Sequence, residues 1–121
     1  MSTVDDFLAF ARLLLNRGVH RDRRLLSEAS VELMTTNHLT PEQMATSGPA
    51  LAGRGWGYGM AVVTTPDDVS PTPGRYGWSG GYGTSWFNHP GRGLVAIALT
   101  QNSDFLFAGG QAEFERLAAR V

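Results

Sequence analysis

Gly77-Trp78-Ser79-Gly80-Gly81-Tyr82-Gly83-Thr84-Ser85-Trp86-Phe87-Asn88-His89-Pro90-Gly91-Arg92-Gly93-Leu94-Val95-Ala96-Ile97-Ala98-Leu99-Thr100 is the stretch whose reading decides the fold. Its second half is a hairpin pattern. Strands are expected at Ser85 to Asn88 and Leu94 to Thr100, joined by the turn-rich linker His89 to Gly93. The run Leu94 to Leu99 is apolar on both faces, as in a strand covered on both sides. Arg75 to Trp78 reads as the preceding strand. Gly80 and Gly81 let another backbone or a ligand approach closely.

Working outward, the chain begins helical. Ser2 or Thr3 can cap a first helix, and Asp5 and Asp6 suit the positive end of its dipole. Val4, Phe7, Leu8, Ala11, Leu14 and Leu15 share one face, and Gly18 reads as the stop. A second helix is expected from Glu28 to Thr36 with Ser27 as cap. Pro41 after Thr40 opens a short extra turn. From Ser47 to Gly59 glycine is frequent and helix becomes unfavourable. Trp56 to Thr64 reads as a strand, Pro66 to Gly74 as a loop, and Phe107 to Arg120 as a last helix. Helices, then strands, then one helix give an α+β class: an antiparallel sheet of three to four strands with N-terminal helices and a C-terminal helix packed on it. Residues 1–121 form a single domain or fragment, with a helical part at 1–46 and the sheet plus last helix at 54–121.

The chain has 121 residues, 42% of them hydrophobic, enough for one core. Its net charge is −1, with no long run of either sign, so neither a nucleic acid nor an anionic membrane surface is an expected partner. Arg21, Arg23 and Arg24 read as a solvated loop. There is no cysteine, which removes disulfides and thiolate chemistry. There is also no lysine, which excludes Schiff bases, a Ser-x-x-Lys pair and a P-loop within these residues. No apolar run reaches the roughly 20 residues of a membrane span.

Gly77-x-Ser79-x-Gly81 matches the nucleophile elbow in form, but that motif needs a helix after the serine. Here a strand follows, and no histidine follows Asp104. Ser79 is therefore not read as a nucleophile. His20, His38 and His89 lack metal-ligand spacing, and each reads as structural or solvent-exposed. No metal and no cofactor are expected. Asp5/Asp6 and Asp67/Asp68 belong to a cap and a loop. The aromatics Trp56, Tyr58, Tyr76, Trp78, Tyr82 and Trp86 have strand spacing and form sheet faces, or else a stacking surface for a ligand.

Five stretches together resemble the C-terminal part of the β-lactamase-related serine hydrolases, which include class C β-lactamases, DD-peptidases and carboxylesterases. They are Ser2 to Leu14, Leu26 to Met34, Trp56 to Met60, Gly77 to Gly81 and Leu94 to Thr100, in the family's order. Trp78-Ser79-Gly80 stands at the family's Lys-Thr-Gly or His-x-Gly motif, on the strand edging the active site. Tryptophan there is similar to the esterase branch. The resemblance implies that Trp78 walls the cleft and that Ser79 hydrogen-bonds substrate. It gives the Gly81 N–H the role of oxyanion donor beside Gly80.

The family's nucleophile lies in an upstream Ser-x-x-Lys, so no catalytic residue is expected in this chain. The resemblance implies a partial β-lactamase-like fold, inactive alone. Its small-molecule ester or amide substrate would bind only once the N-terminal part completes the site. It also implies that Leu94 to Thr100 lacks its partner strand and drives self-association or capture of a partner chain. Two alternatives stand beside it: a non-catalytic α+β module that binds a ligand or partner on its aromatic, glycine-rich sheet, and a small complete enzyme of other chemistry.

Overall fold

A computed structural model of the chain describes residues 2–51 and 53–121. Met1, where the resemblance expects the chain to run on upstream, and Ala52, within the glycine-rich stretch, lie outside the described residues.

Helix α1 spans Val4–Leu15 and starts where the Thr3 side chain accepts the Asp6 N–H. It leads into a two-strand ribbon, β1 (Val19–His20) and β2 (Arg23–Arg24), paired antiparallel. Arg23 and Arg24 are exposed there. Helix α2 is Glu28–Met34, capped by Ser27. Helix α3 is Pro41–Thr46, with a capping box in which Thr40 and Gln43 satisfy each other's backbone N–H groups.

A five-stranded antiparallel sheet follows, in the order β3 (Arg54–Trp56), β4 (Ala61–Val63), β5 (Tyr76–Ser79), β6 (Ser85–His89) and β7 (Leu94–Ala98). The class is α+β as the sequence indicates, but the sheet has one strand more than the three to four expected. The difference lies in Trp56 to Thr64, which is not one strand. Gly57 to Met60 form a turn closed by the Gly57 N–H on the Met60 carbonyl at 2.8 Å, so β3 and β4 make their own hairpin. A side chain at Gly57 would run into the Met34 carbonyl oxygen, so this turn needs glycine to sit against the end of α2.

The last helix is also divided. Helix α4 (Asp104–Phe107) stops at Ala108, and α5 (Gly110–Ala118) starts after Gly109, whose φ of 87° lies in the left-handed region. His89 is a further correction. It is the last residue of β6 rather than the first of the linker, and at 5% exposed it is structural rather than solvent-exposed.

Strand alternation divides the sheet into two faces. Trp86, Tyr76, Val62, Val95 and Ile97 point to one face, where they pack with Phe7, Ala11 and Leu14 of α1, Val31 of α2 and Met60. Phe7 and Phe10 meet the Trp86 ring at 5.3 and 5.7 Å between centroids. Asn88 sits in the middle of this apolar layer, fully buried. Its Nδ2 donates to the Ala11 carbonyl at 2.7 Å and to the Tyr76 hydroxyl at 3.0 Å, and its Oδ1 accepts from Trp86 Nε1 at 2.9 Å. Phe87, Arg75 and Glu115 of α5 meet on the opposite face, so helices cover the sheet from both sides. β7 ends the sheet among the described residues.

Candidate functional site

β4 pairs with β5 up to Gly77, through Ala61 opposite Gly77, Val62 opposite Tyr76 and the Val63 N–H on the Arg75 carbonyl at 2.7 Å. Beyond Gly77, β4 has already turned away at Met60. β6 meanwhile keeps pairing on the other side, as far as Ser79 opposite Ser85. Trp78 to Gly81 are therefore held from one side and open on the other. The Gly80 N–H donates to the Thr84 carbonyl at 2.8 Å, and the Gly83 N–H donates to the Gly80 carbonyl at 2.9 Å.

Backbone groups of successive strand residues point to opposite neighbours. With Gly80 committed to the β6 side, the N–H of Ser79 faces the open edge, and Gly81 follows in the turn that the Gly83–Gly80 bond closes. Among the described residues the Gly81 N–H makes no hydrogen bond, and a Cβ built at Gly81 would meet nothing within 4 Å. Gly77 secures this geometry, because a side chain there would strike the Trp86 carbonyl oxygen.

The Trp78 ring is 40% exposed and meets Trp56 edge-on at 4.7 Å. Ser79 points to the α5 face, where its hydroxyl is buried with no hydrogen-bond partner. Both residues line a cavity of about 500 Å³ between the sheet and the α4–α5 joint, together with Arg54, Arg75, Phe107 and Glu115. That volume falls within the range of small-molecule sites. On the α1 face, Trp78 also borders an apolar cleft of about 240 Å³ with Phe7, Trp86, Ile97 and Leu99.

A buried ion cluster floors the larger cavity. Arg75, 3% exposed, donates to both Asp67 oxygens at 2.8 and 3.2 Å and reaches Glu115 at 3.5 Å. Gln111 donates to the other Glu115 oxygen at 2.7 Å. Burial pushes Asp67 upward, but the Arg75 hydrogen bonds and the Ser70 and Val69 N–H groups outweigh it and hold the carboxyl below its usual value. Burial raises Glu115 above the ordinary range, against the pull of Gln111, Arg54 and Arg75. Burial lowers His89, helped by the positive charges of Arg75 and Arg92. Among the described residues neither His89 ring nitrogen has a hydrogen-bond partner, and burial disfavours the charged ring.

The structure thus brings Trp78, Ser79, Gly80 and Gly81 to one open edge. It commits the Gly80 N–H to the turn and leaves the Gly81 N–H free. Ser79 is followed by a turn and a strand, as the sequence reading required when it set the nucleophile elbow aside. Arg54, Arg75, Gln111 and Glu115 were not anticipated at the site. Arg54 comes from β3 and Arg75 from the residue before β5, while Gln111 and Glu115 sit one turn apart on α5, the only local pattern among the four.

These features define a class of protein: an antiparallel sheet between helical layers, open at a glycine-rich edge beside a cavity of small-molecule size. Comparison with known proteins gives the family. A family model described as Beta-lactamase matches residues 1–120. The chain is 42% identical over 109 residues to Protein Rv1367c of Mycobacterium tuberculosis, across 84% of this chain and 27% of that protein. Among solved structures it is similar to EstCE1, described as a hydrolase with promiscuous acyltransferase activity. That match has a TM-score of 0.73 and 28% identity over 99% of this chain and 30% of EstCE1. It also shares its fold with simvastatin synthase (LovD) from Aspergillus terreus, with a TM-score of 0.70 and 23% identity over 94% of this chain and 32% of LovD. The chain belongs to the β-lactamase family, a family of hydrolases. It spans about 27% of its mycobacterial relative and 30% of EstCE1.

Proposed function

We propose that this chain forms one wall of the acyl-binding cleft of an esterase-like serine hydrolase, with its nucleophile supplied by a segment outside these 121 residues. The observation that carries this reading is the open edge of β5. There Trp78 and Ser79 line one cavity, the Ser79 hydroxyl is buried without a partner among the described residues, and the Gly81 N–H of the adjoining turn makes no hydrogen bond among them. In this role the Gly81 N–H stabilises the oxyanion that develops on the substrate's acyl oxygen. Ser79 hydrogen-bonds the substrate, Gly80 keeps the turn tight, and Trp78 walls the cleft against water. The sequence holds no lysine, so the activated serine of a Ser-x-x-Lys pair is not part of this chain. The substrate is a small ester or amide, and the chain alone is inactive. The same reading gives β7 a missing partner strand, so the strand pairs with another chain when nothing else covers it.

The test is hydrolysis of p-nitrophenyl butyrate, first by this chain alone and then by the chain fused behind the N-terminal part of the mycobacterial relative. The chain alone should give no turnover. The fusion should turn over, and Gly81→Pro, which deletes the donor N–H, should lower its kcat about 10²- to 10³-fold. Turnover by the chain alone that survives Ser79→Ala would overturn the reading, as would a fusion whose kcat ignores Gly81→Pro.

A further inference from the structure

Trp78 stands beyond the point where β4 pairs with β5, so strand pairing on that side does not fix its ring. The ring meets Trp56 edge-on, with centroids 4.7 Å apart and planes at 80°. An edge-on aromatic pair has a preferred geometry, so the position of one ring constrains the other.

Trp56 is in turn held from outside the sheet. It ends β3, an outer strand among the described residues. Both of its main-chain groups are taken by one dipeptide. The Trp56 N–H donates to Oδ1 of Asn37 at 3.0 Å, and its carbonyl accepts the His38 N–H at 2.9 Å. Asn37 and His38 thus do for the end of β3 what a further strand would do. The Asn37 side chain is itself locked. Its Oδ1 also accepts the Leu39 N–H at 2.9 Å, and its Nδ2 donates to the Leu39 carbonyl at 3.0 Å. A side chain at Gly55 would collide with Asn37, so β3 keeps a glycine where the asparagine lies against it. The turn with Leu39 accounts for an asparagine at this position. It does not account for the bond to Trp56, which leads on to the open edge.

We infer that Asn37 is a positioning residue of the cleft: by pinning Trp56 it sets the angle at which the Trp78 ring stands at the open edge. That this ring meets substrate rests on the cleft reading above. That Asn37 sets the ring does not. Asn37 works through Trp56 and has no part in bond breaking.

The ring is read without turnover, so failure here is separable from failure of the hydrolase reading. Two indoles this close give an exciton couplet in the far-ultraviolet circular dichroism of the purified chain, identified by its loss in Trp56→Phe. Asn37→Ala should cut that couplet about threefold or more, because the edge contact becomes one ring position among several. Asn37→Asp keeps an acceptor for the Trp56 N–H and should retain the couplet. His38→Ala should retain it too, since the bond from His38 to Trp56 is made by the backbone. The wild type gives a check that needs no variant. The Trp56 amide should exchange at least about tenfold more slowly than an unprotected amide, although its strand is an outer one. In a fusion that turns over, Asn37→Ala should raise KM about fivefold and leave kcat within about twofold, whereas Gly81→Pro acts on kcat. Fast exchange at Trp56, a couplet that survives Asn37→Ala, equal losses in Asn37→Ala, Asn37→Asp and His38→Ala, or an unchanged KM in the active fusion would each overturn the inference.

Discussion

Asn88 joins three elements. It satisfies the Trp86 indole N–H, the Tyr76 hydroxyl and the Ala11 carbonyl from a fully buried position. Cutting it back to alanine would strand the Trp86 N–H and the Tyr76 hydroxyl where water does not replace it, while the Ala11 carbonyl keeps its helical N–H. Each stranded group costs about 1–3 kcal/mol. Asn88→Ala should therefore destabilise the chain by about 2 kcal/mol or more, read as a lower urea midpoint. Asn88→Asp should not rescue it, because a carboxylate cannot donate to Ala11. A loss under about 1 kcal/mol would show that these groups find other partners. Nothing in the local sequence announces this role. Asn88 alternates with aromatic residues on a strand, and its partners come from α1 and β5. The site residues were legible for the opposite reason. Trp78, Ser79, Gly80 and Gly81 are contiguous, so a single motif held them. Arg54 and Glu115 are 61 residues apart by their numbers, and only the sheet and α5 bring them together.

Helix α5 is held to the sheet by groups that titrate in opposite senses. Glu115 is raised above its ordinary 4.5. It contributes stability in full below 4.5, and this is lost as pH rises through the folded-state value. His89 is lowered from 6.5. It contributes stability above 6.5, lost as pH falls from there toward the folded-state value. Glu115 shifts upward from 4.5 and His89 downward from 6.5, so the two effects oppose each other between these two values and flatten the wild-type profile. Glu115→Gln should expose the histidine alone, so stability falls more steeply on acidification than in the wild type. His89→Asn should reverse the trend, with stability rising as pH falls. Urea midpoints across this range decide it, and parallel profiles for the three proteins would refute the opposition. At this scale the sequence was clear for capped elements and blurred at glycines. Thr3, Ser27 and Thr40 each begin a helix, because a side-chain oxygen before an apolar face is a local signal. Gly57 and Gly109 broke the expected strand and helix. Whether a glycine is tolerated or turns the chain depends on what packs beside it, here the end of α2 and the α4–α5 joint.

Among the described residues β3 and β7 are the outer strands of the sheet. β7 carries apolar residues on both faces and runs into exposed Leu99. Self-association through this edge should appear in sedimentation as a mass that rises with concentration. Leu99→Lys should suppress it, because a charged residue on an edge strand discourages pairing. A monodisperse monomer over the same range, or association unaffected by Leu99→Lys, would remove this edge as the contact. The bond from Asn88 to Ala11 joins positions 77 residues apart. During synthesis α1 emerges before β6, and it cannot dock until β6 has been made. Its phenylalanines therefore wait, uncovered, until that strand follows. The interval from Phe7 to Trp86 is thus a window of vulnerability, in which a chaperone, rather than the sheet, would be the first surface the helix meets.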